Sequence, residues 1–141
     1  MTPIFRFALR EDVKEDDRFL PKKAHTTDTG YDVRACQTDQ KDIVLRAGQY
    51  FKIPLGIRVL PEDGWWFELH PRSSTLFKKH MHCLIGIIDQ TFSNELMFVG
   101  QYIPDVAELA QDLTIKFGDA IAQIIPKKRV DMLVQKISNE E

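Results

Sequence analysis

Apolar and polar residues alternate with a period of two along much of the chain. In residues 49–60, QYFKIPLGIRVL, the side chains of Phe51, Ile53, Leu55, Ile57 and Val59 fall on one side of an extended backbone and Lys52 and Arg58 on the other, because successive strand residues point to opposite faces. The pattern predicts a half-buried strand. GWWFELHP repeats it, with Trp65, Phe67 and Leu69 opposed to Trp66, Glu68 and His70, and the intervening PEDG reads as the turn of a hairpin. Further strands are predicted at DIVL, CLIGII, ELMFV, LTIKF and AIAQII, each bounded by Gly, Pro, Asp or Asn. Only DVAELAQD, with Val106, Leu109 and Ala110 at helical spacing after Pro104, reads as a short helix. Many short strands with close turns predict an all-β fold, a compact jelly-roll-like β-sandwich or barrel.

Composition narrows what such a fold can be used for. With 43% hydrophobic residues in 141 positions, the chain can bury one core and is too short for two ordinary domains, so residues 1–141 are expected to form a single domain. Lys and Arg are scattered among the acids at a net charge of −2, which leaves no basic stripe to track a nucleic-acid polymer. The N-terminus lacks the apolar core of a signal peptide, and no window reaches the length of a membrane span. Cys36 and Cys83 are too few to form a disulfide framework. The expectation is a soluble protein without membrane association, cytoplasmic or nuclear.

Four polar clusters interrupt the alternation: TDTGYDVRA at 27–35, HPRSSTLFK at 70–78, GIIDQTFSNEL at 86–96 and FGDAIAQII at 117–125. PRSS offers a fixed cation, Arg72, and two hydroxyls, Ser73 and Ser74, directly after a predicted strand. Such groups suit phosphate oxygens, although an ordinary polar turn would use the same residues. Asp89 follows Ile87 and Ile88, which are expected to anchor its backbone in the core. A carboxylate at a rigid site can orient a water or take its proton, while turn initiation is the plainer alternative. Gly30 is expected to supply a backbone shape closed to other residues, and Asp32 is an acid suited to hold a water on a magnesium ion. The Asp-Thr-Gly tripeptide also occurs in aspartic proteases, but the other three clusters have no place in that reading. Gln123 can donate to a phosphate oxygen and accept from a water. His80 and His82, on one face of an extended HMHC, form too small a set for zinc without a second pair. The acidic EDVKEDD near the start reads as a solvated loop.

Taken together and in order, the four clusters resemble the signature motifs of the trimeric dUTP diphosphatases (dUTPases), over about Asp28 to Ile125. The resemblance implies hydrolysis of deoxyuridine triphosphate to dUMP and pyrophosphate with Mg2+ as cofactor, by a homotrimer whose sites are shared between subunits. It implies that Asp89 holds the attacking water and the sugar 3′-hydroxyl, and that Ser73 approaches the α and β phosphates beside Arg72, Ser74 and Gln123. Asp32 would support the metal through water. Phe92 stands where the family usually has Tyr, and its ring would lie under the deoxyribose and exclude a 2′-hydroxyl. Uracil would be read by main-chain groups of a hairpin from about His82 to Phe92, which includes Gly86 and Ile88.

The sequence departs from the family pattern at two places. Ala120 stands where family members commonly have Arg, and no glycine follows Gly118, so the glycine-rich C-terminal phosphate-wrapping motif is missing. These departures keep open a nucleotide-binding regulatory protein on the same fold. The dCTP deaminases share an RSS cluster and a Phe at the position of Phe92, but their catalytic Glu would fall near Met97, Phe98 and Val99, where this chain has no acid.

Overall fold

The computed structural model describes residues 1–105, 107 and 111–140. Eleven strands are seen among them: β1 (Phe5–Leu9), β2 (Tyr31–Arg34), β3 (Ile43–Leu45), β4 (Tyr50–Pro54), β5 (Ile57–Pro61), β6 (Trp65–Pro71), β7 (Met81–Cys83), β8 (Gly86–Ile88), β9 (Met97–Tyr102), β10 (Leu113–Ile115) and β11 (Ala120–Lys128). One short helix, α1 (Ser73–Phe77), follows β6, and two single 3-10 turns, Glu11–Val13 and Asp17–Phe19, follow β1. The fold is all-β, of the jelly-roll type. The helix expected at DVAELAQD rested on Val106, Leu109 and Ala110, which lie outside the described residues.

All pairings are antiparallel. A four-stranded sheet has the order β2-β11-β6-β8, a three-stranded sheet β4-β9-β7, and two ribbons join β1 to β5 and β3 to β10. Their inner faces share one apolar core that includes Ile53, Leu55, Phe67, Met81, Phe98 and Ile121, each at most 1% exposed. Burying one ring such as Phe67 contributes roughly 1.5–3 kcal/mol. Among the described residues, no helix is long and apolar enough to cross a membrane.

The period-two reading of residues 51–59 is right about burial, since all five apolar residues are at most 6% exposed. It is wrong about continuity. The chain breaks at Gly56, whose φ of +71° lies in the left-handed region, and a Cβ there would stand 2.8 Å from the Cβ of Cys36. The two halves enter different sheets, β4 beside β9 and β5 beside β1. PEDG does turn, with Trp65 N–H donating to the Glu62 carbonyl at 3.1 Å. It does not close a hairpin, because β5 and β6 belong to different sheets. CLIGII likewise divides into β7 and β8 around Leu84 and Ile85, which are 77% and 57% exposed.

Both cysteines are free, and burial pushes the Cys36 thiol up to about 11 and the Cys83 thiol up to about 12. Neither is a thiolate at neutral pH, so neither is poised for nucleophilic chemistry.

Candidate active site

The outward face of the four-stranded sheet orders the candidate residues into rows. Strand β6 turns Phe67 and Leu69 into the core, so Trp66, Glu68 and His70 face outward. Antiparallel register then sets Gln123 of β11 between His70 of β6 and Asp32 of β2. One row further along β6, Glu68 lies between Ile125 and Ile87. Glu68 Oε1 is 3.2 Å from His70 Nε2 and 3.5 Å from Lys127 Nζ. The hydrogen bond with His70, then the charge of Lys127, hold its carboxyl below the usual range.

At the first row the candidates converge. Arg72 Nε lies 3.1 Å from Asp32 Oδ1, and both side chains are about two-thirds or more shielded. Arg72 Nη1 also donates to the Ala120 carbonyl at 3.1 Å, which fixes the guanidinium beside Ala120. Gln123 Nε2 donates to the Pro71 carbonyl at 2.9 Å and so pins the residue before Arg72. One N–H of that amide remains for a ligand.

The serines are not in a plain turn. They open α1, with Arg72 as an extended N-cap residue, ψ 157°. Five residues are too few to show helical periodicity in a sequence, which explains why the helix was not read. Thr75, inside the second cluster but given no role there, locks α1 to the sheet: its buried Oγ1 donates to the Ile121 carbonyl at 2.6 Å. Such a bond contributes about 1 kcal/mol, and an orphaned buried partner costs about 1–3 kcal/mol. Ser73 faces solvent and Ser74 is half-buried.

Gly30 is required by space rather than by backbone shape. Its φ is not among the positive ones, and a Cβ there would collide with the amide of Gln123, standing 2.8 Å from Gln123 Cδ and 3.1 Å from Gln123 Cβ. Gly30→Ala is therefore expected to displace Gln123 from Pro71 and to cost about 1–3 kcal/mol by overpacking. A thermal unfolding midpoint equal to that of the wild type would refute this.

The third cluster lies elsewhere. Gly86 opposes Leu69 and Ile88 opposes Phe67, so Asp89 lies one residue past the register, level with Trp66 at the far end of β6. It lines an open, mainly apolar pocket with Trp65, Trp66, Ile87, Gln90, Thr91 and Arg129. The core anchoring expected for Asp89 is only half present. Ile88 packs on the core, but Ile87 is 67% exposed and Asp89 is itself exposed, because β8 is the edge strand of its sheet. Phe92 is 39% exposed, and its N–H donates to the Asp89 carbonyl at 3.0 Å. Residues 82–92 form no hairpin, since β7 pairs with β9 and β8 with β6.

Within one chain the two groups are well separated. Four residues along β6 span ~13 Å, and the three strand spacings from β8 to β2 span ~14 Å, which puts Asp89 about 20 Å from Asp32. Each chain thus carries a phosphate-suited half (Asp32, Arg72, Ser73, Ser74, Gln123) and a second half (Gly86, Ile88, Asp89, Phe92).

The histidine pair does not share an extended face. His80 has a left-handed φ of 52°, and only His82 lies in β7. Among the described residues, no three of His, Cys, Asp and Glu gather as a metal-binding group.

The comparisons with known proteins converge on one family. The chain is 29% identical to a deoxyuridine 5'-triphosphate nucleotidohydrolase of Finegoldia magna, over 82% of this chain and 78% of that protein. It is 30% identical to the enzyme of the same name from Caulobacter vibrioides, over 77% of this chain and 70% of that one. Its fold is that of the Staphylococcus bacteriophage 80alpha dUTPase, solved as a G164S mutant with dUpNHpp, at a TM-score of 0.79 and 18% identity over 98% of this chain and 90% of that one. Since the sequence model of the dUTPase family matches residues 17–141, nearly everything described above, the chain belongs to the dUTPase family.

Proposed function

We propose that residues 1–141 act as one dUTPase domain that hydrolyses dUTP to dUMP and pyrophosphate, at sites each completed by two copies of the chain. The separation of Asp89 from the phosphate-suited half carries this reading. An attacking water and the phosphate-binding groups must meet at one α-phosphorus, and about 20 Å within a chain is too far for that. A neighbouring copy supplies the missing half. Because the two halves are different surfaces, the contact is head-to-tail, and three copies close it into a ring. The tail beyond Arg129 fits such an assembly. Val130, Met132, Leu133 and Val134 are more than four-fifths exposed, and an apolar stretch of this kind is expected to be covered by another surface.

At the joined site, Arg72 and the hydroxyls of Ser73 and Ser74 bind α- and β-phosphate oxygens. Asp89 from the neighbour holds a water in line with the α-phosphorus and takes its proton as the new O–P bond forms. The bond to the bridging oxygen breaks at the same phosphorus, and pyrophosphate leaves with that electron pair. Gln123 fixes the approach of Pro71 and Arg72 and offers its remaining N–H to a phosphate oxygen. Phe92 stacks beneath the deoxyribose, where its ring leaves no room for a 2′-hydroxyl. The outer edge of β8 presents unpaired main-chain groups around Gly86 and Ile88, which suit the N–H and carbonyl edge of uracil.

Asp32 is a single hard oxygen donor already paired with Arg72. That suits a magnesium ion which keeps most of its waters and travels with the triphosphate, and it does not suit an ion held by the protein alone. Asp32 would hold Mg2+ through water, and the ion would neutralise charge on the pyrophosphate leaving group.

The decisive experiment incubates the full chain with each deoxynucleoside triphosphate and magnesium. Pyrophosphate from dUTP alone is the expected result. Ammonia from dCTP would instead mark a deaminase, and binding without product a regulatory protein.

A further inference from the structure

Immediately after Asp89, the side chain of Gln90 forms three hydrogen bonds to two separate segments. Its Oε1 accepts from the Gly64 N–H at 3.1 Å and from Arg129 Nη1 at 3.2 Å, and its Nε2 donates to Asp63 Oδ1 at 3.0 Å. The segments it joins are fixed to one another, since Arg129 N–H donates to the Gly64 carbonyl at 2.8 Å. Gly64 itself holds the turn before β6 with a φ of +88°. Among the described residues Asp89 has no comparable support: it is exposed, and β8 ends one residue before it. The Phe92 N–H to Asp89 carbonyl bond closes the turn on itself but does not tie it to the body.

We propose that Gln90 is a positioning residue that clamps the Asp89 turn to the β5–β6 turn and to the first residue after β11, and so sets where the Asp89 carboxylate meets the water. The proposal rests on the hydrolytic reading above. A carboxylate on an edge-strand turn gains catalytic use only when neighbouring bonds hold its backbone within a fraction of an ångström. Here the bonds come from a neutral amide that satisfies a donor on one side and an acceptor on the other. Arg129 also begins the tail, so seating of the tail and placement of Asp89 share one amide.

The test compares the full chain with Gln90→Ala, Gln90→Glu and the double variant Gln90→Glu/Asp63→Asn. Gln90→Ala is expected to lower kcat for dUTP by about tenfold, with KM and the unfolding midpoint little changed. Gln90→Glu places a carboxylate against Asp63 and should lose as much. Adding Asp63→Asn restores a donor facing an acceptor and should recover most of the loss, a reversal that simple loss of packing would not produce. Hydrogen exchange at the Phe92 amide reads the clamp without turnover. It should rise about tenfold in Gln90→Ala, while core amides such as that of Phe67 hold. Unchanged Phe92 exchange, or wild-type kcat in Gln90→Ala, would overturn the proposal. A wild-type protein that leaves dUTP intact while Phe92 exchange still responds would instead overturn the hydrolytic reading and leave the clamp standing.

Discussion

Asp89→Asn is expected to lower kcat for dUTP hydrolysis by about a thousandfold, the middle of the range for a positioned general base, and to leave KM and the fold nearly unchanged. Asparagine keeps the size of the side chain and one oxygen that can still orient a water. It cannot accept the proton that the water sheds as it bonds to phosphorus. The fold should tolerate the change because Asp89 is exposed and its carboxylate forms none of the ion pairs found among the described residues. Exposed substitutions of this kind usually stay within about 0.5 kcal/mol. Pyrophosphate release under saturating dUTP and magnesium measures the effect. A variant that turns over at the wild-type rate would remove Asp89 from the chemistry, and one that fails to bind dUTP would assign it to recognition instead.

Substitutions around Arg10 should behave in the opposite way. Arg10 donates to Asp12, Glu95 and the Cys36 and Gln37 carbonyls at 2.6–3.2 Å, and Glu95 Oε2 in turn accepts from the Gly56 N–H at 2.9 Å. This network joins the end of the third cluster to the break between β4 and β5. Its carboxylate partners, the Asp12 hydrogen bond first, hold the guanidinium well above its usual range. Glu95 is committed to this structural work, and β9, which follows it, opens with Met97, Phe98 and Val99 and carries no acid along its length.

How much of this was legible in the chain depended on the range of the interaction involved. Burial of Phe51, Ile53, Leu55, Ile57 and Val59 could be read because the two faces of a strand are a local property. The break at Gly56 could not, since Leu55 and Ile57 are buried on either side of it and the alternation runs on unchanged. The partner of β5 is β1, about fifty residues away in sequence, and no local pattern names it; the nearer β6 was the wrong choice. Strand β1 is equally legible, because Phe5, Phe7 and Leu9 alternate as plainly as the run from Phe51 to Val59. The placement of Asp89 failed for a different reason. Two isoleucines in a row look like core, whereas on a strand of a sheet with one buried face one of them points outward. The order of the four clusters names the candidate residues of both halves, but the pairing of Arg72 with Asp32 and the anchoring of Gln90 depend on register across β2, β11 and β6 and on turns that meet only in the folded chain.

Separation of the two halves gives the second large effect, one that no property of a single chain can imitate. Ser73→Ala damages the phosphate half and Asp89→Asn the water-holding half, so each variant alone should be nearly inactive. Co-expressed with different tags and purified through both, they are expected to form mixed rings. In a head-to-tail ring of three, every mixed composition contains one junction where an intact Asp89 from a Ser73→Ala chain meets an intact Ser73 from an Asp89→Asn chain, so about a third of the wild-type rate should return. If Asp89 and Ser73 of the same chain formed the site, every site in the mixture would carry one lesion and no activity would return. The reciprocal mixture sharpens the contrast. A ring of one wild-type chain and two chains bearing both substitutions, isolated by its tag count, has no intact junction left, whereas self-contained sites would keep the single wild-type copy working at about a third of the full rate. Activity in the first mixture and silence in the second can arise only if the catalytic carboxylate reaches its substrate from the neighbouring chain.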